Sequence, residues 1–338
     1  MNTIGKDTSI NHLFTPLKHW LEDEDITEIA INKPFEVWIE KHNEWTSHSC
    51  DALSFAYLNS MAIAVASYCD TQIAINQPIL SATLPKGERI QCVMPPACSP
   101  DTLSITIRKP NMTQRTLTDY VQDGFFNHVI PPNQELSPID ETLLALKDSD
   151  LPEFLKLAIL AQKNIVIAGG TGSGKTTLMK MLVDLIPQHQ RIITIEDVHE
   201  LFLLNTPNKV HLFYPSEATQ SDPITSGKLL KSCLRMKPDR ILLAELRGAE
   251  TFDFVNIAAS GHGGSITSCH AGSAALTFER LVAMAMKNPE AVSLPYEIIM
   301  KLLHQVIDIV IHIENDVHSD NPIGRHITEV WFKPRLKE

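Results

Sequence analysis

Ile165-Val166-Ile167-Ala168-Gly169-Gly170-Thr171-Gly172-Ser173-Gly174-Lys175-Thr176-Thr177 is the stretch on which the fold turns. Four apolar residues without alternation read as a strand covered on both faces. The glycine run that follows fits GxxxxGK[ST], and Lys175 to Ile186 continues as a helix. Strand, glycine loop and helix in that order mark a phosphate-binding loop rather than an ordinary turn. Glycines let consecutive backbone N–H groups curl around an anion, and the helix adds the positive end of its dipole. Lys175 is expected to reach β- and γ-phosphates and Thr176 to hold Mg²⁺ through its hydroxyl. Gly170, Thr171, Gly172, Ser173, Gly174 and Thr177 complete a cradle for a nucleoside triphosphate.

Outward from this loop, Ile192 to Ile195 and Ile241 to Ala244 are further apolar strands separated by helical stretches. The class is α/β with a largely parallel centre, in which ligands bind at the carboxyl edge of the sheet. Arg240-Ile-Leu-Leu-Ala-Glu245 ends in an acid at that edge, so Glu245 can orient or deprotonate an attacking water. The competing reading is a surface glutamate after a core strand. Ile192 to Ile195 runs into Glu196-Asp197. Glu196 is expected to contact Mg²⁺ or water, whereas capping the next segment suits Asp197 better. A second glycine cluster, Ser260 to Ala271, carries His262 and His270. His270 can donate to a phosphoryl oxygen, with glycines that permit movement, and His262 reads as structural. Zinc on His262, Cys269 and His270 is the alternative, but the spacing lacks paired ligands.

The N-terminal half reads as a smaller α+β sheet domain. Ile29-Ala30-Ile31 and Phe35 to Ile39 flank the turn Asn32-Lys33-Pro34. Ile79 to Leu84, Arg89 to Met94 and Leu103 to Ile107 follow as strands, around one helix within Ala52 to Cys69. Residues 111–138 are polar and proline-bearing, a linker with a short helix inside it. The boundary is set near 130, giving domains of 1–130 and 131–338. Ser137-Pro138 opens a helix with Ser as N-cap, Pro at the first position and Asp140 and Glu141 at its positive end; Pro152 to Gln162 forms another.

A length of 338 residues fits about two domains. With 43% hydrophobic and 20% charged residues the chain is of globular composition, which excludes a mainly disordered or fibrous protein. The net charge of −11 disfavours nucleic-acid binding by bulk electrostatics. Six scattered cysteines without a CxxC pair fit reduced thiols. The start MNTIGKDTSINHLF has no signal-peptide pattern, so no export is expected. Ala52 to Cys69 carries too many polar residues for a membrane span.

GGTGSGKTT, ITIEDVHEL, RMKPDRILLAELRG and SGHGGSITSCHAGSA, in that order between Gly169 and Ala274, resemble the traffic ATPases of type IV secretion and conjugative transfer systems. The resemblance implies a C-terminal RecA-like P-loop NTPase domain and an N-terminal domain that closes over ATP. It implies Lys175 and Thr176 for nucleotide and Mg²⁺, Glu196 in the acidic box, Glu245 as catalytic carboxylate, His270 in the histidine box and Arg247 as a nearby cation. ITIRKP looks like the closing segment and nominates Arg108. Also implied are a homohexamer, cytoplasmic placement peripheral to the inner membrane, and contacts with other channel ATPases and inner-membrane components. Ala244 departs from the glycine that many relatives have before the acid. A type II secretion or pilus motor is the sibling reading; a DNA-translocating motor and a small-molecule kinase are weaker ones.

Overall fold

Two sheets of opposite character divide the strands of the computed structural model, which describes residues 7–110, 114–129, 135–219, 221–317 and 323–336. After α1 (Thr8–Leu13) and α2 (Lys18–Glu22) come β1 (Ile26–Ile31), β2 (Glu36–Lys41) and β3 (Glu44–Ser49). Helix α3 (Phe55–Tyr68) precedes β4 (Ile79–Thr83), β5 (Arg89–Val93) and β6 (Ser104–Arg108). These strands form a six-stranded antiparallel sheet in the order β3-β2-β1-β6-β5-β4. Ser54 caps α3 by accepting from the Tyr57 N–H, and Leu58, Met61, Ala62, Val65 and Ala66 repeat at helical spacing to bury one face. That face packs with Ile29, Ile31, Ile105 and Ile107 in the core of this sheet.

Helix α4 (Leu117–Gln122) lies in the polar stretch, while the expected boundary near 130, with Pro131-Pro132, lies outside the described residues. In α5 (Pro138–Ser149) Ser137 accepts from the Asp140 N–H at 3.1 Å, the cap expected of Ser-Pro, and α6 (Leu151–Leu160) follows. Then come β7 (Ile165–Gly169), α7 (Lys175–Asp184), β8 (Ile192–Glu196), β9 (Lys209–Phe213), α8 (Ser226–Cys233), β10 (Arg240–Leu243), α9 (Glu250–Ala259) and β11 (Ile266–Cys269). The chain ends in α10 (Ala274–Ala285), α11 (Tyr296–Val306), β12 (Ile309–Asn315) and β13 (Arg325–Phe332).

The seven-stranded sheet has the order β13-β12-β7-β11-β10-β8-β9, with every pairing parallel except β12 with β13. Its strands are buried on both faces. Ile165 and Ile167 join one core cluster with Leu155 and Leu182, while Val166 and Ala168 join another with Leu229, Phe254 and Leu281. That two-sided cover explains why these strands read as uninterrupted apolar runs. The fold is thus mixed α/β, with a mainly parallel sheet beside an antiparallel one.

A polar seam joins the two sheets. Arg191 is fully buried; it donates to Asn32 Oδ1 at 2.8 Å, Asn208 Oδ1 at 2.5 Å and the Met236 carbonyl at 3.0 Å. Asn32 Nδ2 donates in turn to Asn208 Oδ1 at 3.0 Å, and Gln91 Nε2 donates to Ser232 Oγ at 2.8 Å. Burial pulls the guanidinium down to about 10, still leaving it charged. Among the described residues no helix is long and apolar enough to cross a membrane.

Candidate functional site: a phosphate loop at the carboxyl edge of the parallel sheet

Parallel pairing aligns the strand ends. Cys269 stands opposite Ala168, and Leu243 opposite both Ile195 and Thr267, so the segments after β7, β8, β10 and β11 emerge on one edge. They enclose a cavity of about 330 Å³ lined by Gly172, Lys175, Thr176, Asp197, Glu245, Arg247 and His270, among others. The loop begins where Gly169 passes against β12. A Cβ on Gly169 would stand 2.4 Å from the Ile313 carbonyl oxygen, so no larger residue fits there.

Lys175, the first residue of α7, is buried, and its Nζ donates to the carbonyls of Gly169 at 3.0 Å and Gly170 at 2.8 Å. The same nitrogen lies 3.4 Å from His270 Nδ1. Burial lowers the lysine pKa, and the charge of Glu245 works against that. Glu245 Oε1 is 3.1 Å from His270 Nε2 and makes no hydrogen bond elsewhere among the described residues. Its Oε2 accepts from Arg247 Nε at 2.9 Å. Arg247 also pairs with Asp197, which accepts from Ser216 Oγ at 3.0 Å. Burial raises the Asp197 pKa, but the Arg247 and Ser216 bonds outweigh it and hold the carboxyl below its ordinary range. The ring of His270 thus lies between the Lys175 ammonium and the Glu245 carboxylate.

The backbone under Glu245 is held as well. Ser268 Oγ donates to the Ala244 carbonyl at 2.7 Å, and the Leu246 N–H donates to the Ser268 carbonyl at 2.7 Å. Ala244 stands at the cavity wall.

Two expected site residues stand elsewhere. Glu196 is fully buried and does not line the cavity; its Oε2 accepts from the Glu200 and Leu201 N–H groups, both at 2.8 Å, and its Oε1 from Thr194 Oγ1 at 2.9 Å. Side chains alternate along a strand, so Glu196 shares the face of Thr194 while Asp197 projects to the cavity side. Burial raises the Glu196 pKa, but His211 and these donors together bring it below the ordinary value. Of the two acids after β8, Asp197 lines the cavity and Glu196 does not. Arg108, at the end of β6, is exposed, lies 3.5 Å from Glu28 and lines a different cavity with Glu40, Arg89 and Lys237. The closing role expected of it is not made within one chain.

Among the described residues, His262, Cys269 and His270 do not form a metal-sized cluster. Ser260 Oγ and His262 Nδ1 share a hydrogen bond of 3.2 Å, and burial pushes the Cys269 thiol up to about 12. Arg325, at the start of β13, lines the phosphate-loop cavity and had no signal in the sequence beyond Gly324 before it.

The cavity thus combines an anion cradle, a lysine, a carboxylate set and an imidazole, a constellation suited to binding a phosphate chain and activating water beside it. Thr176, Asp197 and Glu245 supply the hard oxygen donors that Mg²⁺ prefers, so these residues fit that ion. Comparison with known proteins gives the same direction. The family model described as "Type II/IV secretion system protein" matches residues 13–321. Type IV secretion system protein VirB11 of Brucella abortus is 54% identical over 337 residues, covering 99% of this chain and 92% of that relative. The PtlH homolog of Bordetella bronchiseptica is 42% identical over 99% of both chains. The crystal structure of the VirB11 ATPase of Brucella suis, in complex with sulphate, superimposes with a TM-score of 0.91 over 96% of this chain and 98% of that one, at 54% identity. A family match across most of the chain, relatives aligned nearly end to end and a shared three-dimensional structure leave one assignment: the chain belongs to the type II/IV secretion system protein family, among its type IV secretion traffic ATPases.

Proposed function

We propose that this chain is an Mg²⁺-dependent ATPase that works as a homohexameric ring and powers substrate translocation or pilus assembly by a bacterial type IV secretion system. The observation that carries the reading is the convergence of Lys175, Glu245 and His270 in one cavity at the end of the parallel sheet. The loop N–H groups and Lys175 bind the phosphate chain, with Lys175 exchanging its carbonyl partners for phosphate oxygens. Glu245 orients or deprotonates the attacking water, His270 answers to the terminal phosphoryl group, and Arg247 with Asp197 fixes the Glu245 carboxylate. Thr176, with help from Asp197, would hold Mg²⁺, which would supply charge neutralisation to the phosphate chain. Residues 131–338 are the ATPase domain and residues 1–130 the closing domain, whose Arg108 reaches nucleotide only in the assembled ring. The ring sits in the cytoplasm at the inner membrane, against the other ATPases and inner-membrane components of the channel.

The names of the relatives support the secretion role, and the sulphate reported with the Brucella suis protein supports an anion-binding member of the family. The test combines phosphate release with native mass measurement, each with and without MgATP. Mg²⁺-dependent turnover by a species of six subunits is expected. A chain that stays monomeric under every condition would remove the ring, and a hexamer without turnover would remove the ATPase.

A further inference from the structure

The geometry points to Arg325 as a nucleotide-binding residue: it pins the phosphate loop through the Gly172 carbonyl and offers its guanidinium to the phosphate chain. This rests on the nucleotide reading above and adds to it a residue lying about 150 positions beyond the loop motif.

β12 runs parallel to β7, with Ile313 opposite Gly169, so the end of β12 reaches the start of the loop. β13 returns antiparallel and sets Arg325 opposite Asn315 at that same end. Both side chains turn onto one carbonyl: Arg325 Nε donates to Gly172 O at 3.2 Å and Asn315 Nδ2 to the same oxygen at 3.5 Å. A peptide plane carries its C=O and the following N–H on opposite sides. On the other side of that plane the Ser173 N–H donates to the Gly170 carbonyl at 3.4 Å, closing the loop on itself. With its oxygen engaged by Arg325 and Asn315, the Gly172 carbonyl opposes an anion in the cradle less.

The stem of the arginine is seated as well as its head. Gly174 has φ of +101°, and a Cβ there would stand 3.2 Å from Arg325 Cδ, so the side chain lies directly over the last glycine before Lys175. Its terminal guanidinium nitrogens make no hydrogen bond among the described residues, although the residue lines the cavity together with Lys175 and Thr176. Arg247, the other guanidinium of the cavity, is committed to Glu245 and Asp197, and Lys175 to two loop carbonyls. Among the described residues Arg325 therefore has its forked end free for phosphate oxygens while its Nε keeps the loop in register.

Arg325→Ala, Arg325→Gln and Arg325→Lys, each confirmed as folded by thermal melting, separate the two contributions. The affinities for ADP and for a non-hydrolysable ATP analogue are measured by calorimetry on the assembled protein, and KM and kcat by phosphate release. Arg325→Ala should weaken both nucleotides by about tenfold, as expected for a lost charge-assisted contact, with KM rising by more than kcat falls. Arg325→Gln keeps a donor for Gly172 but no charge and should stay close to alanine, while Arg325→Lys should recover part of the affinity. Parental affinity in folded Arg325→Ala, or full recovery with glutamine, would overturn the phosphate contact. Absence of nucleotide binding in the parent protein would instead overturn the ATPase reading itself.

Discussion

Nε2 of His270 lies 3.1 Å from Oε1 of Glu245, and the opposite ring nitrogen lies 3.4 Å from Lys175 Nζ. One imidazole therefore joins the group that would grip the phosphate chain to the group that would ready the water. The three most consequential side chains of the cavity form one connected set, so removing each should give a different kinetic signature.

Lys175→Ala removes the charge from the cradle and should abolish measurable ATP binding. Glu245→Gln keeps the shape and the Arg247 contact but cannot take a proton. It should bind ATP within a few-fold of the parent and lose about 10²–10⁴ in turnover, the range for a general base. Equilibrium binding and phosphate release measured side by side check both; parental turnover in Glu245→Gln would remove the carboxylate from the chemistry.

His270→Ala should leave ATP affinity near normal and reduce turnover, because the ring is tied to Glu245 as well as to Lys175. A single-turnover measurement separates the chemical step from product release. Unchanged turnover would make His270 a structural residue.

Arg191→Ala leaves Asn32, Asn208 and the Met236 carbonyl without their shared donor in a buried seam. A loss of about 3–5 kcal/mol is expected, the cost of breaking a buried polar or charged network. Urea unfolding of the assembled protein gives the number; a change below about 1 kcal/mol would mean the seam is held elsewhere.

Glu28 sets the pH behaviour of the antiparallel sheet. Burial, with the neighbouring Glu40 charge, pushes its carboxyl up to about 7 against the opposing pull of Arg108. A raised carboxyl binds its proton more tightly in the folded state. Its contribution is fully present below about 4.5 and is lost as pH rises through about 7. Over that window the loss is about 3 kcal/mol. Glu28→Gln, which cannot ionise, should gain on the parent between pH 4.5 and about 7 and then level off in parallel unfolding curves, and a pH-independent difference between the two would contradict the assignment.

The phosphate loop, the parallel sheet and the helix within Ala52 to Cys69 were legible because each carries its own pattern: a glycine spacing, buried strands without alternation, a helical repeat. The turn at Asn32-Lys33-Pro34 was legible for the same local reason. β3 was not, because its residues Glu44 to Ser49 are almost all exposed and polar and are held by pairing with β2 rather than by burial. The burial of Glu196 away from the cavity was not legible, because a one-residue step reverses the face and nothing in Ile-Glu-Asp says which acid turns to the cavity. Arg325 was invisible for another reason: its contact with Gly172 depends on β12 lying beside β7, a long-range pairing with no local motif. Arg108 was reached only through resemblance, and its exposed position on β6 shows why a single chain gave it no partner in the cavity.

The stitching of residues 244–246 to Ser268 has a mechanical corollary. Glu245 and His270 ride on neighbouring strand ends fastened to each other just below them, so displacement of either carries the other along. The cavity would then answer its ligand as a lever with two settings, not as a pair of independent contacts.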